Sequence, residues 1–237
     1  MNSAERKYKA LAEKVAVWDG ATRLFHWTLV TLIILAPITN NYMDFYWHKM
    51  NGYAILVLIL FRVLWGFVGS STSRFLNFVH PFAAFGYLGG LVTGKSRHYL
   101  GHNPAGAMMI LALLLVVGLQ AISGLFSADD VTMMLFAGPF ASDVSETAVE
   151  NATSFHRVGF QLILVLVALH VTANVCYALF KRDGLIMAMI TGRKKALDYY
   201  DEASATLASP MLALVCFAVS AVIVFGSIYL WGDGGFV

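Results

Sequence analysis

Five long apolar runs constrain the fold of this chain more than any other feature. They cover residues 23–42, 52–70, 104–127, 155–180 and 210–231. A helix needs about 20 apolar residues to cross the ~30 Å hydrocarbon core of a bilayer, and each run is close to that length. With 59 % hydrophobic and 13 % charged residues, the composition also excludes an ordinary soluble domain. We therefore predict an all-α integral membrane protein, because only helices satisfy their backbone within such a segment.

Basic residues are concentrated in every second segment that flanks these runs. The N-terminal segment and the connections after the second and fourth runs hold Arg6, Lys7, Lys9, Lys14, Arg74, Lys95, Arg97, Lys181, Arg182, Arg193, Lys194 and Lys195. The alternate connections hold Lys49 and the acidic residues Asp129, Asp130, Asp143, Glu146 and Glu150. Basic loops stay in the cytoplasm, so we predict a cytoplasmic N-terminus and an external C-terminus. Basic residues at membrane edges favour lipid over nucleic acid as the partner. Segment 1–20 is too polar for a cleavable signal peptide.

Two histidines, His156 and His170, lie fourteen residues apart in the fourth run. Fourteen helical residues make about four turns, so both imidazoles lie within roughly 40° of one face and about 21 Å apart along the axis. Two ligands at two depths of a membrane fit two stacked haems better than a single metal site. Zinc would require a compact cluster of three or four ligands. No C-x-x-C-H motif is present for covalent haem, and Cys176 and Cys216 are expected to be packing residues.

The predicted depths of the other histidines give each of these two a partner. His26 lies one turn into the first helix from the cytoplasm, and His48 lies just before the second helix at the outer face. His156 begins the fourth helix on the outer side, so it matches His48, while His170 matches His26. A single histidine at a membrane boundary can instead be an interfacial residue, and His80 and His98 are interpreted so. His170, deep in hydrocarbon, is costly without a functional partner.

Four further residues are candidates for contacts with the haems. Gly52 and Gly159 follow His48 and His156 by four and three residues and would leave room for a macrocycle, although close helix packing explains small residues equally well. Arg62, fourteen residues after His48, requires a partner inside the membrane, and a haem propionate is the favoured one. Arg157 could pair with a propionate of the outer haem or could extend to the surface.

Several motifs together resemble a known family, the bacterial cytochrome b561 and Ni,Fe-hydrogenase cytochrome b subunits. The resemblance covers about residues 15–195 and rests on Val17-Trp18-Asp19, Thr22-Arg23-Leu24-Phe25-His26-Trp27, Arg62 with Leu64-Trp65-Gly66-Phe67-Val68-Gly69, Gly101-His102-Asn103-Pro104, and His156-Arg157-Val158-Gly159 with His170. It implies an integral membrane four-helix bundle binding two haems b, ligated by His26, His48, His156 and His170, in the bacterial inner membrane. The fifth, C-terminal transmembrane helix is additional. We expect a cytoplasmic tail over 1–22, the di-haem bundle over 23–195, and a linker and extra helix over 196–237.

The resemblance also suggests where a quinone binds. In the related membrane subunit of formate dehydrogenase, quinone lies beside the inner haem near an asparagine, so His102 and Asn103 are the candidates here. The alternative is that Asn103 caps the third helix with Pro104 in its first turn.

Two connections have predicted roles of their own. Residues 81–94 are apolar but too short to span, which suggests an in-plane helix on the cytoplasmic surface. The connection 128–154 is long and acidic and includes Met133, Met134, Leu135 and Phe136, so it is a candidate docking surface for a basic c-type cytochrome.

The predicted function is electron transfer across the inner membrane between the quinone pool and a periplasmic redox partner, as a cytochrome or as a subunit of a quinone-linked oxidoreductase. Three alternatives remain. A superoxide oxidase would need a basic outer surface, whereas the outer loops are acidic. A hydrogenase anchor subunit would bind a large partner outside. A haem-free transporter using His170 and Arg62 would be expected to show a sequence repeat. An oligomer is compatible with all of these.

Overall fold

Helices form nearly all of the regular structure in a computed structural model of the protein, which describes residues 14–41, 45–128, 137–181, 183–196 and 199–232. In chain order the elements are β1 (Lys14–Ala16), α1 (Gly20–Asn41), α2 (Phe45–Val68), α3 (Phe75–Phe78), α4 (Pro81–Val92), α5 (Pro104–Phe126), a 3₁₀ turn (Ala141–Asp143), α6 (Glu146–Cys176), a π-turn (Tyr177–Lys181), α7 (Leu185–Thr191), β2 (Arg193–Lys195) and α8 (Pro210–Trp231). In the described residues, five helices (α1, α2, α5, α6 and α8) are long and apolar enough to cross a membrane. The predicted all-α membrane fold is confirmed.

Two of these helices begin earlier than the apolar runs indicate. Helix α2 begins at Phe45, so His48 lies in its first turn and not before it. Helix α6 begins at Glu146, so His156 lies almost three turns inside it rather than at its start. Ser145 caps α6, because its Oγ accepts from the Ala148 N–H at 3.3 Å. The added start of α6 is polar, and that of α2 is aromatic but is separated from the apolar run by His48, Lys49 and Asn51. Neither segment is part of a continuous apolar run.

The acidic connection predicted over 128–154 is correspondingly shorter, because α6 already begins at Glu146. Its described part includes the 3₁₀ turn at Ala141–Asp143. Its predicted apolar docking residues, Met133, Met134, Leu135 and Phe136, lie outside the described residues, as do Arg6, Lys7 and Lys9 of the N-terminal segment. Residues 81–92 do form the predicted short helix, α4.

The chain divides into two compact units, and the first comprises the described residues of 1–24, 64–111 and 168–213. Its core contains five buried hydrophobic residues: Val17, Trp18, Leu100, Ala188 and Tyr199. β1 and β2 pair as an antiparallel ribbon. Segment 14–22 falls within the predicted cytoplasmic tail over 1–22, but it forms a strand and the first turn of α1 and buries the side chains of Val17, Trp18, Asp19 and Thr22.

Asp19 joins three parts of this first unit. Its carboxylate accepts from the Thr22 N–H at 2.6 Å, which caps α1. It also accepts from Trp65 Nε1 at 3.3 Å and from Ser73 Oγ at 3.2 Å. Asp19 is 6 % exposed, so the Trp-Asp and Leu-Trp-Gly motifs of the sequence meet in one buried polar network.

The segment after β2 also belongs to the first unit, although the sequence suggests a linker. Asp201 accepts from the backbone N–H groups of Leu100 and Gly101 at 2.7 and 3.2 Å. Ser71 and Thr206 exchange hydrogen bonds, with the Ser71 N–H donating to the Thr206 carbonyl and the Thr206 N–H donating to Ser71 Oγ. These contacts join residues 100 or more positions apart in the sequence, so local patterns could not reveal them.

The second unit comprises the described residues of 25–63, 112–167 and 214–237. Its buried core contains residues from α2, α5 and α6: Ile55, Val117, Ala121 and Ile163. Helix α8, which had no predicted role, packs here. The Phe225 ring lies 6.4 Å from that of Tyr53, and the Phe217 ring lies 6.4 Å from that of Phe61.

Candidate functional site

His48 and His156 face each other in the second unit. Their ring centroids are 6.2 Å apart and the ring planes are nearly perpendicular, at 83°. Both line a cavity of about 760 Å³ built from α1, α2, α5 and α6. A volume of this size is within the range of cofactor sites, about 300–1,000 Å³. The structure therefore brings together the two histidines that the depth argument pairs at the outer side.

Each of these imidazoles uses Nδ1 to contact the protein. His48 Nδ1 lies 3.0 Å from the Ala36 carbonyl oxygen, and His156 Nδ1 lies 2.9 Å from the Gln120 carbonyl oxygen. A carbonyl can only accept, so both Nδ1 atoms carry the proton and donate it. Nε2 of each neutral ring then carries the lone pair, which is the arrangement that orients a histidine as a metal ligand.

The geometry of the pair fits a haem iron. A metal–imidazole bond is about 2 Å long and the ring centre lies about 1 Å behind its nitrogen, so two imidazoles on opposite sides of one iron have centroids about 6 Å apart. Within the described residues, no three metal-binding side chains form a metal-ion cluster. Gly52 lines the cavity, and an added Cβ there would meet no protein atom within 4 Å. Space and donor set both fit haem b.

Gln120 is a second-layer residue that the sequence analysis missed. Its side-chain Nε2 donates to the backbone carbonyl of His156 at 2.8 Å, while its backbone carbonyl accepts from His156 Nδ1 at 2.9 Å. Ser123 Oγ lies 3.1 Å from the same His156 nitrogen. The side chain of Gln120 fills the space next to Gly159, where a Cβ would collide with its Oε1. The predicted open space therefore exists at Gly52 but not at Gly159.

Polar and charged side chains also line this cavity. Lys49 and Arg157 lie next to the two histidines in the sequence and are the two basic residues among its lining. Asn51 Oδ1 and Gln120 Oε1, from two further lining residues, are buried and have no hydrogen-bond partner within the described part of the chain. An apolar cavity with a few such groups suits an amphipathic ligand that carries acidic substituents.

The other two predicted ligands belong to different units. His26 lies in the second unit, with its ring edge-on to Trp27 at 4.8 Å. His170 lies in the first unit, and its Nε2 is 3.3 Å from Asn174 Nδ2. Arg62 of the second unit is 3 % exposed, as expected for an arginine inside the bundle. Pairing of His26 with His170, and of Arg62 with a propionate, stays a prediction.

The proposed quinone residues have clear structural roles in the first unit. Asn103 Oδ1 accepts from the Gly106 N–H at 2.8 Å, so Asn103 caps α5. The His102 ring lies between Trp18 and Phe78, with centroids 4.5 Å from each. The cavity beside Asn103 measures about 10 Å³, which is room for about one water molecule. Asn103 therefore acts as the N-cap of α5 in this structure, which is the alternative to a quinone contact that the sequence left open.

Comparisons with known proteins identify the family of the chain. A family model described as prokaryotic cytochrome b561 matches residues 17–192. The chain is similar to probable Ni/Fe-hydrogenase B-type cytochrome subunits of three bacteria. That of Bradyrhizobium diazoefficiens is 24 % identical over 223 residues, covering 78 % of this chain and 87 % of the relative. That of Rhizobium leguminosarum bv. viciae is 25 % identical over 226 residues, covering 80 % and 92 %. That of Azotobacter vinelandii is 25 % identical over 212 residues, covering 75 % and 87 %.

The family match extends from Val17 to Gly192. It therefore includes four of the five long helices and all four predicted ligands. This match covers most of the chain, and five of the described helices are able to cross a membrane. Together these observations establish the protein family. This protein belongs to the prokaryotic cytochrome b561 family and is a multi-pass membrane b-type cytochrome that transfers electrons.

Proposed function

We propose that this chain binds two haems b and carries electrons across the bacterial inner membrane between the quinone pool and a redox partner on the periplasmic side. The observation that supports this most is the His48–His156 pair, with ring centroids 6.2 Å apart in a cavity of about 760 Å³. The orientation, with a cytoplasmic N-terminus, follows from the uneven distribution of Lys and Arg.

At the outer site, the protein would hold a haem b through two histidines and two basic side chains. His48 and His156 present Nε2, and their Nδ1–H groups keep the rings aligned through the Ala36 and Gln120 carbonyls. Lys49 and Arg157 line the same cavity and supply positive charge for the propionates. Haem b, when bound, supplies one-electron chemistry at its iron. The mixed apolar and polar lining would tune the site's potential.

At the inner site, we propose His26 and His170 as the ligands and Arg62 as the propionate partner. The basis is the fourteen-residue spacing, which puts His170 on the face of α6 that carries His156. Asn174, whose amide is 3.3 Å from His170 Nε2, would have to release that nitrogen. His102 and Asn103 remain the candidates near a quinone, with Asn103 also capping α5.

A second candidate function is that of a hydrogenase-linked subunit. The curated relatives are named hydrogenase B-type cytochrome subunits, so the electron donor would then be a hydrogenase bound on the outer side. A soluble c-type cytochrome is the other partner we consider, because the outer connection is acidic. Co-purification of a large partner would favour the hydrogenase role over the soluble carrier.

The first test is haem content per chain. We expect a pyridine haemochrome assay on the detergent-purified protein to give about two non-covalent haems b for each polypeptide. His156→Ala should lose one of them and His170→Ala the other, with distinct bands disappearing from the reduced-minus-oxidised spectrum. His80→Ala, at an exposed position outside both sites, should keep both.

Two results would contradict the proposal. A wild-type chain without haem after expression with ample haem supply would remove the cytochrome role itself. Loss of both haems in His80→Ala as well as in the ligand variants would mean that haem content reports folding and not ligation.

A further inference from the structure

The exposed face of the β1–β2 ribbon carries three positive charges and no negative one. Lys14 is paired with Lys195, and Ala16 with Arg193, in the antiparallel register. Lys14, Arg193 and Lys195 are exposed, and none of them forms an ion pair with any residue that the structure describes. We call these three residues the basic ribbon face.

This arrangement is unfavourable for the protein alone. Side chains of directly opposed residues in a ribbon have Cβ atoms about 5 Å apart, and like charges at that distance destabilise the pairing. On the other face of the ribbon the positive charge is neutralised within the chain, because Lys194 is buried and pairs with Asp183 at 2.7 Å. The exposed charges are therefore left for something outside the chain to neutralise.

An apolar surface lies directly beside the basic ribbon face. Helix α7 exposes Ile186, Met187 and Ile190, at 42, 59 and 52 %, and their spacing places them on one side of the helix. Ala188 on the other side is fully buried in the core of the unit. Gly192 then turns the chain straight into β2 with a φ of 78°. Exposed apolar and basic groups adjoin in this way in proteins that bind a membrane surface.

The position of the ribbon along the chain selects the membrane as the occupant. β1 ends at Ala16 and the membrane-spanning helix α1 begins at Gly20. That short link cannot place the ribbon more than about 14 Å from the start of the helix. Headgroups extend roughly 6 Å beyond the hydrocarbon on each side. Lysine and arginine side chains can bridge the remaining distance.

We propose that the basic ribbon face and the apolar face of α7 form a binding surface for anionic phospholipid headgroups in the adjacent leaflet. Ile186, Met187 and Ile190 would contact the upper acyl chains while the three cations contact phosphates. The surface does not involve the haem ligands, so the proposal is independent of the proposed function.

The test compares thermal unfolding of the whole protein in two lipid environments. Wild-type protein and the double variant Lys14→Gln/Lys195→Gln are placed in nanodiscs of phosphatidylcholine or of an equimolar mixture with phosphatidylglycerol. Tryptophan fluorescence reports unfolding, since Trp18 is buried beside the ribbon. Lys95→Gln, an exposed lysine of the same unit on another element, is the matched control.

We expect phosphatidylglycerol to raise the wild-type Tm by on the order of 5 °C. This rise should vanish at high salt, where charges are screened within a few ångströms. The double variant should lose most of the rise, whereas Lys95→Gln should keep it. In phosphatidylcholine alone the double variant should be at least as stable as the wild type, because the opposed like charges are gone. That result would also show that the variant folds.

Three outcomes would overturn the proposal. The first is a wild-type Tm that does not respond to phosphatidylglycerol. The second is a rise that persists in the double variant. The third is an equal rise with inorganic phosphate, or with poly-glutamate in place of the lipid, which would indicate a free-anion site or an acidic protein partner instead.

Discussion

His48 and His156 show how individual residues prepare this site. Each donates Nδ1–H to a backbone carbonyl, at 3.0 and 2.9 Å, so Nε2 of each neutral ring keeps the lone pair that a metal requires. Gln120 supports the orientation of His156 alone, because its side-chain Nε2 also donates to the His156 backbone carbonyl. At the residue scale, ligand orientation is thus produced by contacts one layer behind the ligands.

The two glycines near these histidines should respond differently to alanine. Gly159→Ala places a Cβ against Gln120 Oε1, the end of a flexible side chain that would have to move. We therefore expect a cost of at most about 1 kcal/mol, together with loss of the Gln120 hydrogen bond to the His156 carbonyl. Gly52→Ala meets no protein atom within 4 Å. It should stabilise the haem-free helix by about 0.5–1 kcal/mol while lowering haem content.

Thermal unfolding of haem-free protein and haem content of expressed protein separate these effects. Gly226→Ala in α8, where an added Cβ also meets nothing, should change neither haem content nor the spectrum. If Gly52→Ala binds haem normally, the cavity beside Gly52 is not where the macrocycle lies.

At the scale of elements, the start of α1 depends on a single buried carboxylate. Asp19 accepts from the Thr22 N–H, the Thr22 hydroxyl, Trp65 Nε1 and Ser73 Oγ. It therefore connects the cap of α1 to α2 and to the turn that follows α2. The Thr22 hydroxyl is a second member of this network, since it accepts from Trp65 Nε1 at 3.2 Å and lies 2.8 Å from Ser73 Oγ. Removal of Asp19 would take away the charged acceptor that these buried donors share.

We expect Asp19→Ala to destabilise the protein by about 2–3 kcal/mol, because it removes a cap and the charged acceptor of Trp65 and Ser73, which would keep only the Thr22 hydroxyl. Ser145→Ala at the exposed cap of α6 is the comparison, with an expected cost of about 1 kcal/mol. Denaturant unfolding of both variants measures the difference. Equal costs would mean that Asp19 acts as a cap alone and that its bonds to Trp65 and Ser73 contribute nothing.

At the scale of the whole molecule, the residues beyond the family match divide into two parts. Segment 199–206 belongs to the first unit through Asp201 and Thr206, while most of α8 belongs to the second unit through Phe217 and Phe225. None of the residues that line the 760 Å³ cavity comes from either part. Both parts therefore support the units without building the outer site.

Two truncations should separate these contributions. A chain ending at Ser209 should have a lower Tm than the full chain but should retain its haem, because the cavity lining is intact. A chain ending at Ala196 also loses the acceptors for Leu100 N–H and Gly101 N–H, so its Tm should fall further, by about 5 °C or more. Differential scanning fluorimetry and haem content measure both. Retention of the full Tm in the shorter chain would contradict a structural role for Asp201 and Thr206.

Much of the architecture could be predicted from the sequence. The five spanning helices and the short helix at 81–92 were found because hydropathy and residue periodicity are local properties. The early start at Glu146 was missed because the first turns of α6 are polar, and that at Phe45 because His48, Lys49 and Asn51 interrupt the apolar run. The roles of segments 14–22 and 199–206 were missed because their partners are distant in sequence.

The sequence alone determined that this chain has membrane-spanning helices and which family it resembles, and it paired His48 with His156, since run length, motif and helical spacing are all local properties of the sequence. Only the tertiary structure decided which nitrogen His48 and His156 offer, that Gln120 occupies the space at Gly159, and that Asp19 and Asp201 hold distant segments together. Those features depend on atoms brought within about 3 Å by packing, and no local pattern specifies such contacts.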